Sequence, residues 1–273
     1  MPRSERQLAA FADKHAGQIP FDTSPRHLAG PGDARHITHG LAVAGWQRTS
    51  DPLSPEMVLT SPDHRYSLGF DPGAGMFAWW RLWAEPTDNE HGWYASFGEL
   101  APAEIISGLT DALVTSPSPA DTAPLDVLDA AGWIIDAQGA ASSPDGTCRV
   151  ERRAEEGDDS VVSWHIEVRD PDRGRFGPRL WEARFAARTP RPLVNAFVTA
   201  LAEPSPLQRG MHERTAHYSV VQEPSPLTPK QVVEAHTARL DAIRAGARAA
   251  RRRHKNPVTA PARVSTARPT VHR

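Results

Sequence analysis

WYASF, residues 93–97, and WEARF, residues 181–185, repeat one short pattern, an aromatic residue, then alanine, then phenylalanine at alternate positions. Alternation of this kind is typical of a β-strand with one apolar face. Downstream of the pattern the two copies stay aligned without a gap, so that Leu109 matches Phe197. A register that holds over many positions indicates an internal duplication.

Upstream, the alignment continues with small changes in loop length. The matching groups are Trp80 and Trp164, the Ser-Pro-Asp triplets at 61–63 and 143–145, and the Ala-Gly-Trp triplets at 44–46 and 131–133. Each copy therefore repeats several features in one order, which a chance match of one pentapeptide would not produce.

The order of signals within a copy predicts its secondary structure. A short periodic stretch ends at Gly45 or Gly132, where glycine suits a helix C-cap. Four extended segments follow, and a proline at 102 or 190 then precedes a stretch with the helical period. We expect an α+β fold of two tandem β-β-β-β-α units, each preceded by a short helix. The units should pack around a pseudo-twofold axis, since each leaves apolar surface open alone.

Changes in composition predict the organisation of the whole chain. We expect an N-terminal polar segment at 1–23, a first repeat at 24–116, a second repeat at 120–204, a linker at 205–227, a basic helix at 228–255 and a disordered tail at 256–273.

Charge is distributed unevenly along the chain. The net charge is −2, yet the residues from 228 onward contain eleven Lys or Arg and only two acidic residues. The preceding part is therefore acidic. A basic extension of this kind is typical of nucleic-acid contact, and it is also common as a solvated chain end.

A second group of cations lies in the second repeat, where arginines alternate with Phe176, Trp181 and Phe185. Such a pattern suits a protein that binds single-stranded nucleic acid. In such proteins cationic side chains contact the phosphates and aromatic rings stack on the bases. Because Arg184 should lie on the strand face opposite Trp181 and Phe185, the rings can stay in the core. We expect a nucleic-acid-binding protein whose partner is DNA. The predicted nucleic-acid-binding residues are Arg169, Arg173, Arg175, Arg179, Arg184, Arg248, Arg251, Arg252, Arg253 and Lys255.

Two alternatives remain open. The arginines of the second repeat could instead form ion pairs with Asp170, Asp172 and Glu182 on an ordinary surface. The protein could also be an interaction or regulatory scaffold without a nucleic-acid role. In the strand FAWWRLW, Trp79 and Trp80 should point to opposite faces, which leaves one of them for a protein partner.

Three stretches carry a resemblance to a known family: SPRHLAGPGDARHITHGLAVAGW (24–46), LTSPD (59–63) and WYASFGELAPAEIISGLTDAL (93–113). They resemble the actinobacterial family called domain of unknown function 317, whose members commonly carry the module twice. The resemblance covers residues 24–203 and implies no particular activity. The predicted topology is also similar to that of the Whirly and transcriptional-coactivator group of single-stranded DNA binders, at the level of fold alone.

Catalytic and metal-binding motifs give little support for an enzyme. The sequence has no nucleophile elbow, phosphate-binding glycine loop, Cys-x-x-Cys or His-Glu-x-x-His. His36 and His39 could share a helix face, but a metal would need a third ligand from elsewhere. We expect no enzyme activity, cofactor or metal. The single cysteine, Cys148, and the absence of a long apolar window predict a cytoplasmic protein of undetermined oligomeric state.

Overall fold

The computed structural model describes residues 5–51, 53–75, 78–88, 90–115, 122–155 and 158–255. Within these ranges the fold contains six α-helices, a ten-stranded antiparallel sheet and a three-stranded sheet. The predicted α+β class is therefore confirmed. The predicted disordered tail at 256–273 lies outside the described residues.

The N-terminal segment forms structure that its polar composition does not predict. It contains helix α1 (Glu5–Ala16) and strand β1 (Pro20–Ser24), followed by a 3-10 turn at Arg26–Leu28. Phe11 of α1 is 1% exposed. One buried ring thus fixes a helix whose other residues are mostly polar or charged.

The first half of the molecule begins with helix α2 (Arg35–Val43) and ends with a longer helix. Its elements after α2 are β2 (Gln47–Arg48), β3 (Met57–Thr60), β4 (Tyr66–Phe70), β5 (Trp80–Ala84), β6 (Trp93–Phe97) and α3 (Ala103–Thr115). Gly45 has φ +95° between α2 and β2. This conformation favours glycine and ends the helix as expected.

The second half repeats these elements in the same order. They are α4 (Pro124–Ala130), β7 (Ile134–Ile135), β8 (Ala141–Ser142), β9 (Cys148–Glu155), β10 (Asp158–Arg169), β11 (Arg179–Phe185) and α5 (Arg191–Ala202). Gly132, the counterpart of Gly45, has φ +82°.

The prediction of four strands per unit was wrong, because each half has five. The additional strands are β2 and β7, two residues each, which pair with β3 and β8 directly after the glycine turn. They are too short to show an alternating pattern, so the sequence gives no signal for them.

All ten strands form one sheet in the order β2-β3-β4-β5-β6-β11-β10-β9-β8-β7. The WYASF and WEARF strands lie at its centre and pair antiparallel, with Ala95 opposite Phe185, Phe97 opposite Ala183 and Ser96 opposite Arg184. Helices α3 and α5 pack against each other. The inner face of the sheet is apolar, with Leu68, Leu82, Ala95, Ala183, Ile166 and Val150 all fully buried.

The chain after the second half is also ordered. The segment interpreted as a linker contains β12 (Leu207–Gly210) and β13 (Val221–Pro224), which flank β1 in the three-stranded sheet. Helix α6 (Pro229–Lys255) follows and packs on α1, α2 and α3. Its buried residues are His236, Leu240, Ile243 and Ala247. Within the described ranges, none of the helices has the length and apolar character needed to cross a membrane.

Candidate nucleic-acid interface

Several arginines of the second half lie in a network of ion pairs on the outer face of the sheet. Arg169 is 2.7 Å from Glu167, and Arg184 is 2.9 Å from Glu182. Arg179 contacts both of these glutamates. Since Glu182 is 4% exposed, its carboxylate is a fixed partner rather than a chance surface contact.

Glu167 connects neighbouring strands within this network. Burial opposes its ionisation, but the hydrogen bond from Arg169 and the charges of Arg153 and Arg179 lower the pKa of Glu167 below its ordinary value. The carboxylate therefore stays charged at neutral pH and balances the arginines around it. Glu167 was not among the acidic partners considered from the sequence.

Two of the aromatic residues of this region are inside the molecule. Trp181 and Phe185 are both 0% exposed, whereas the Arg184 side chain is 49% exposed on the opposite strand face. The predicted orientation of Arg184 is therefore observed, and the two rings are not accessible for stacking on bases. Arg173 is exposed, and the side chains of Arg175 and Phe176 lie outside the described part of the chain.

The cations of α6 differ along the helix. Near its middle, Arg239 forms a bidentate pair with Asp111 at 2.8 Å, and Arg244 pairs with Asp241. In the last turns, Arg248 and Arg252 are exposed, and neither has a carboxylate partner among the residues that the structure describes. Arg248 and Arg252 therefore carry positive charge that no carboxylate of the described residues compensates.

Two further arginines of this end are held by backbone carbonyls. Arg251 Nη2 donates to Ala44 O at 2.6 Å, and Arg253 Nη2 donates to Thr115 O at 3.2 Å. These bonds fix the end of α6 against α2 and α3 without neutralising it. The side chain of Lys255 lies outside the described residues.

A cleft of about 470 Å³ lies beside these arginines. One wall is the end of α6, a second is the end of α3, and the third is the turn between β3 and β4. The lining residues include Leu113, Val114, Asp63, Tyr66, Ala250 and Arg251. Its surface is mainly apolar, with a carboxylate and guanidinium groups at the rim.

The histidines considered as metal ligands belong to a buried cluster at the base of α6. His39 Nδ1 is 3.2 Å from Nε2 of His236, and His36 is 3.5 Å from Glu104. The ring of His236 also stacks on Phe11, with centroids 4.0 Å apart. His36 and His39 thus help to hold α1 and α6 on α2. His236 was not considered as their partner, since nothing in the local sequence links positions so distant.

A different set of side chains has metal-ligand chemistry. Asp170, Asp172 and His217 offer ligand atoms within 4.8 Å of one another. His217 Nε2 is 3.3 Å from Asp170, and Tyr218 donates to Asp172, so existing contacts already engage these groups.

An ion pair of the interior joins the C-terminal region to the first half. Arg209, 2% exposed, donates to both Glu104 oxygens at 2.6 and 3.0 Å and to the carbonyls of Ala29 and Gly30. Burial would raise the pKa of Glu104, but Arg209 and His36 lower it to about 2. The pair connects β12 to the start of α3.

Comparison with known families agrees with the duplication. The model of the SPDY family, described as a domain of unknown function (DUF317), matches residues 60–120 and again 142–207. Two segments of the chain thus match the SPDY family in tandem, and the halves of the molecule that contain them are called the first and second SPDY domains. Each match runs from the Ser-Pro-Asp turn to the helix that follows the central strand, so the segment 24–46, included in the resemblance predicted for 24–203, lies outside both. No curated protein and no solved structure matches the chain, and the Whirly likeness finds no support.

Proposed function

We propose that this protein is a non-enzymatic nucleic-acid-binding protein that contacts phosphates through the C-terminal end of α6. The observation that carries the proposal is that the arginines at the end of α6 and those of the second half differ in their ion pairing. Arg248 and Arg252 are exposed without a carboxylate partner in the described ranges, whereas Arg169, Arg179 and Arg184 are ion-paired. A phosphate therefore gains more from the α6 group, where no ion pair must first be broken.

In this proposal the folded body holds α6 in place, because the helix packs on α1, α2 and α3. We infer that the SPDY domains are copies of one unit, related by an approximate twofold axis through the Ser96–Arg184 pair. The mirrored strand order supports this relationship. A cytoplasmic location is part of the proposal, supported by the single cysteine, Cys148, which is buried and unpaired.

The test is a salt titration of oligonucleotide binding on the full chain. A variant with Arg248→Gln and Arg252→Gln should bind more weakly to every sequence. The slope of log K against log salt concentration is negative, and its magnitude should decrease by roughly two, about one for each lost phosphate contact.

The matched control carries Arg153→Gln and Arg184→Gln, which remove the same charge from the outer face of the sheet. We expect it to retain most of the salt slope. Equal losses in the two variants would show that net charge alone governs binding, and no binding by the full chain at low salt would refute the proposal. Point variants are preferable to truncation before α6, since truncation would expose the apolar surface beneath Leu240 and Ile243.

One observation favours a protein-interaction role as the second candidate. Strand β7 forms an edge of the large sheet, and its residues Ile134 and Ile135 are 65% and 37% exposed. An apolar edge strand is a typical site of strand addition by another chain. Ile134→Lys should abolish such association in light-scattering measurements and leave oligonucleotide binding unchanged.

A further inference from the structure

The second SPDY domain has a site that is filled by the chain itself. His27, in the 3-10 turn before α2, lies against the turn between β8 and β9. Its Nε2 atom is 2.6 Å from Thr147 Oγ1 and 3.1 Å from Asp145 Oδ2. Thr147 Oγ1 gives its own proton to Asp145 Oδ2 at 2.8 Å, so the His27 nitrogen is the donor.

The segment that fills this site, Arg26–Leu28, contacts two parts of the second domain. On one side it contacts the turn that holds Asp145. On the other, Arg26 Nη1 donates to Ser205 O at 3.0 Å, just beyond the end of α5. Trp181 Nε1 fixes the backbone between them by donating to His27 O at 2.8 Å. The imidazole of His27 thus lies at the Asp145 turn, and the adjacent Arg26 reaches the segment that follows α5.

The first domain builds the same turn. Ser61 Oγ donates to Asp63 Oδ1 at 2.5 Å and accepts the backbone N–H of Tyr66 at 2.9 Å. Ser143 makes the corresponding contacts, to Asp145 Oδ1 and from the N–H of Cys148. In both turns the serine therefore engages Oδ1 of the aspartate and leaves Oδ2 for another contact.

The space beyond this turn differs between the domains. In the first domain it is the cleft of about 470 Å³, between the Asp63 turn and the end of α3 at Leu113 and Val114. Asp63 Oδ2 has no hydrogen-bond partner among the described residues. In place of Arg26, the cations at this cleft are Arg65 and Arg251.

We propose that this cleft binds an unstacked nucleobase whose amino group donates to Asp63 Oδ2. The inference rests on the proposed function, because the base would belong to a strand whose phosphates lie on Arg248 and Arg252. The base takes the position that the imidazole of His27 has in the second domain, and Leu113, Val114 and Ala250 contact its faces.

The hydrogen-bond requirement selects among bases. Cytosine presents an exocyclic amino group, which a carboxylate accepts well. Thymine has one N–H between two carbonyl oxygens, and these repel a carboxylate that approaches it. The cleft should therefore prefer cytosine to thymine on strands of equal length and charge.

The experiment compares an oligodeoxycytidine with an oligothymidine of the same length, by fluorescence anisotropy on the full chain. Asp63→Asn should weaken binding of the cytidine strand roughly fivefold and remove most of its preference over the thymidine strand. Asp129→Asn is the matched control, because it removes the same charge from the exposed face of α4. Lower negative charge alone would strengthen binding in both variants.

A second variant, Ala250→Phe, fills the cleft from a half-buried position at its wall. It should also remove the preference for cytidine while the salt slope is retained. The inference is overturned if Asp63→Asn and Asp129→Asn behave alike, or if Ala250→Phe keeps the preference. If the full chain binds neither strand, the proposed function fails, and calorimetry with free cytidine then decides whether the cleft still takes the base.

Discussion

Ser96 and Arg184 lie opposite each other on the two central strands, with Ala95 paired to Phe185 on one side and Phe97 paired to Ala183 on the other. The same residue types therefore meet in either direction from this pair. Phe97, Phe185 and Phe197 form one buried aromatic cluster with centroids 5.2 to 5.6 Å apart. The two SPDY domains consequently share one interior, so we expect neither to be stable alone.

The crossing of α3 and α5 needs a residue without a side chain at position 108. A Cβ on Gly108 would lie 2.7 Å from Ala200 Cβ and 3.3 Å from Ala196 O. Gly108→Ala should therefore lower the free energy of unfolding by about 1–3 kcal/mol, although alanine normally favours a helix. Urea unfolding followed by circular dichroism measures the change.

The control for this prediction changes Ala200, the residue of α5 that the new Cβ would contact. Ala200→Gly, combined with Gly108→Ala, removes one of the two contacting carbons. The two changes should be less destabilising together than the sum of the single variants. Simple additivity would contradict a contact between these positions.

The Glu104–Arg209 pair should make stability sensitive to acid. The pKa of Glu104 is about 2 in the folded protein and near 4.5 when it is unfolded. The contribution of this ionised carboxylate is complete above about pH 5 and is lost as pH falls toward 2. Glu104→Gln should cost about 3 kcal/mol at neutral pH, since Arg209 remains buried without its charge partner. Its stability should change less than that of the wild type between pH 5 and 2.

His236 should add a second dependence on pH at the base of α6. Burial, together with the charges of His36, His39 and Arg239, lowers its pKa to about 2, and Asp33 opposes this only in part. The unfolded chain binds a proton here below about pH 6.5 and the folded chain does not, so stability falls as pH decreases below that value. In His236→Gln, thermal unfolding between pH 7 and 5 should show a smaller decrease in Tm.

Cys148 should be chemically inert while the protein is folded. It is 0% exposed, and burial, with a further effect from Asp145, raises the pKa of its thiol well above 9.0. The folded protein should react with a thiol reagent at pH 8 only as fast as it unfolds, and denaturant should give one equivalent of reaction at once. Rapid reaction of the native protein would show that this end of β9 opens locally.

Three features could be predicted from the sequence because their signals are local. The strands at WYASF and WEARF alternate within five residues, and α6 has a helical period over its buried positions. The glycines at 45 and 132 mark helix ends through their own backbone conformation. Patterns of this kind depend only on which side chains share a face of one element.

The cleft required the tertiary structure, because the contacts that form it join distant segments. Glu182 lies on the same strand as Arg179 and Arg184, so this partner could be considered from the sequence, whereas Arg153 and Arg179 reach Glu167 across neighbouring strands. The aspartate turns at 63 and 145 are alike locally. A segment from the N-terminal region fills the space beside Asp145, and α6 forms a wall of the cleft beside Asp63. The duplicated sequence thus determined two similar units, while long-range packing decided which of them has an open cleft beside its aspartate turn.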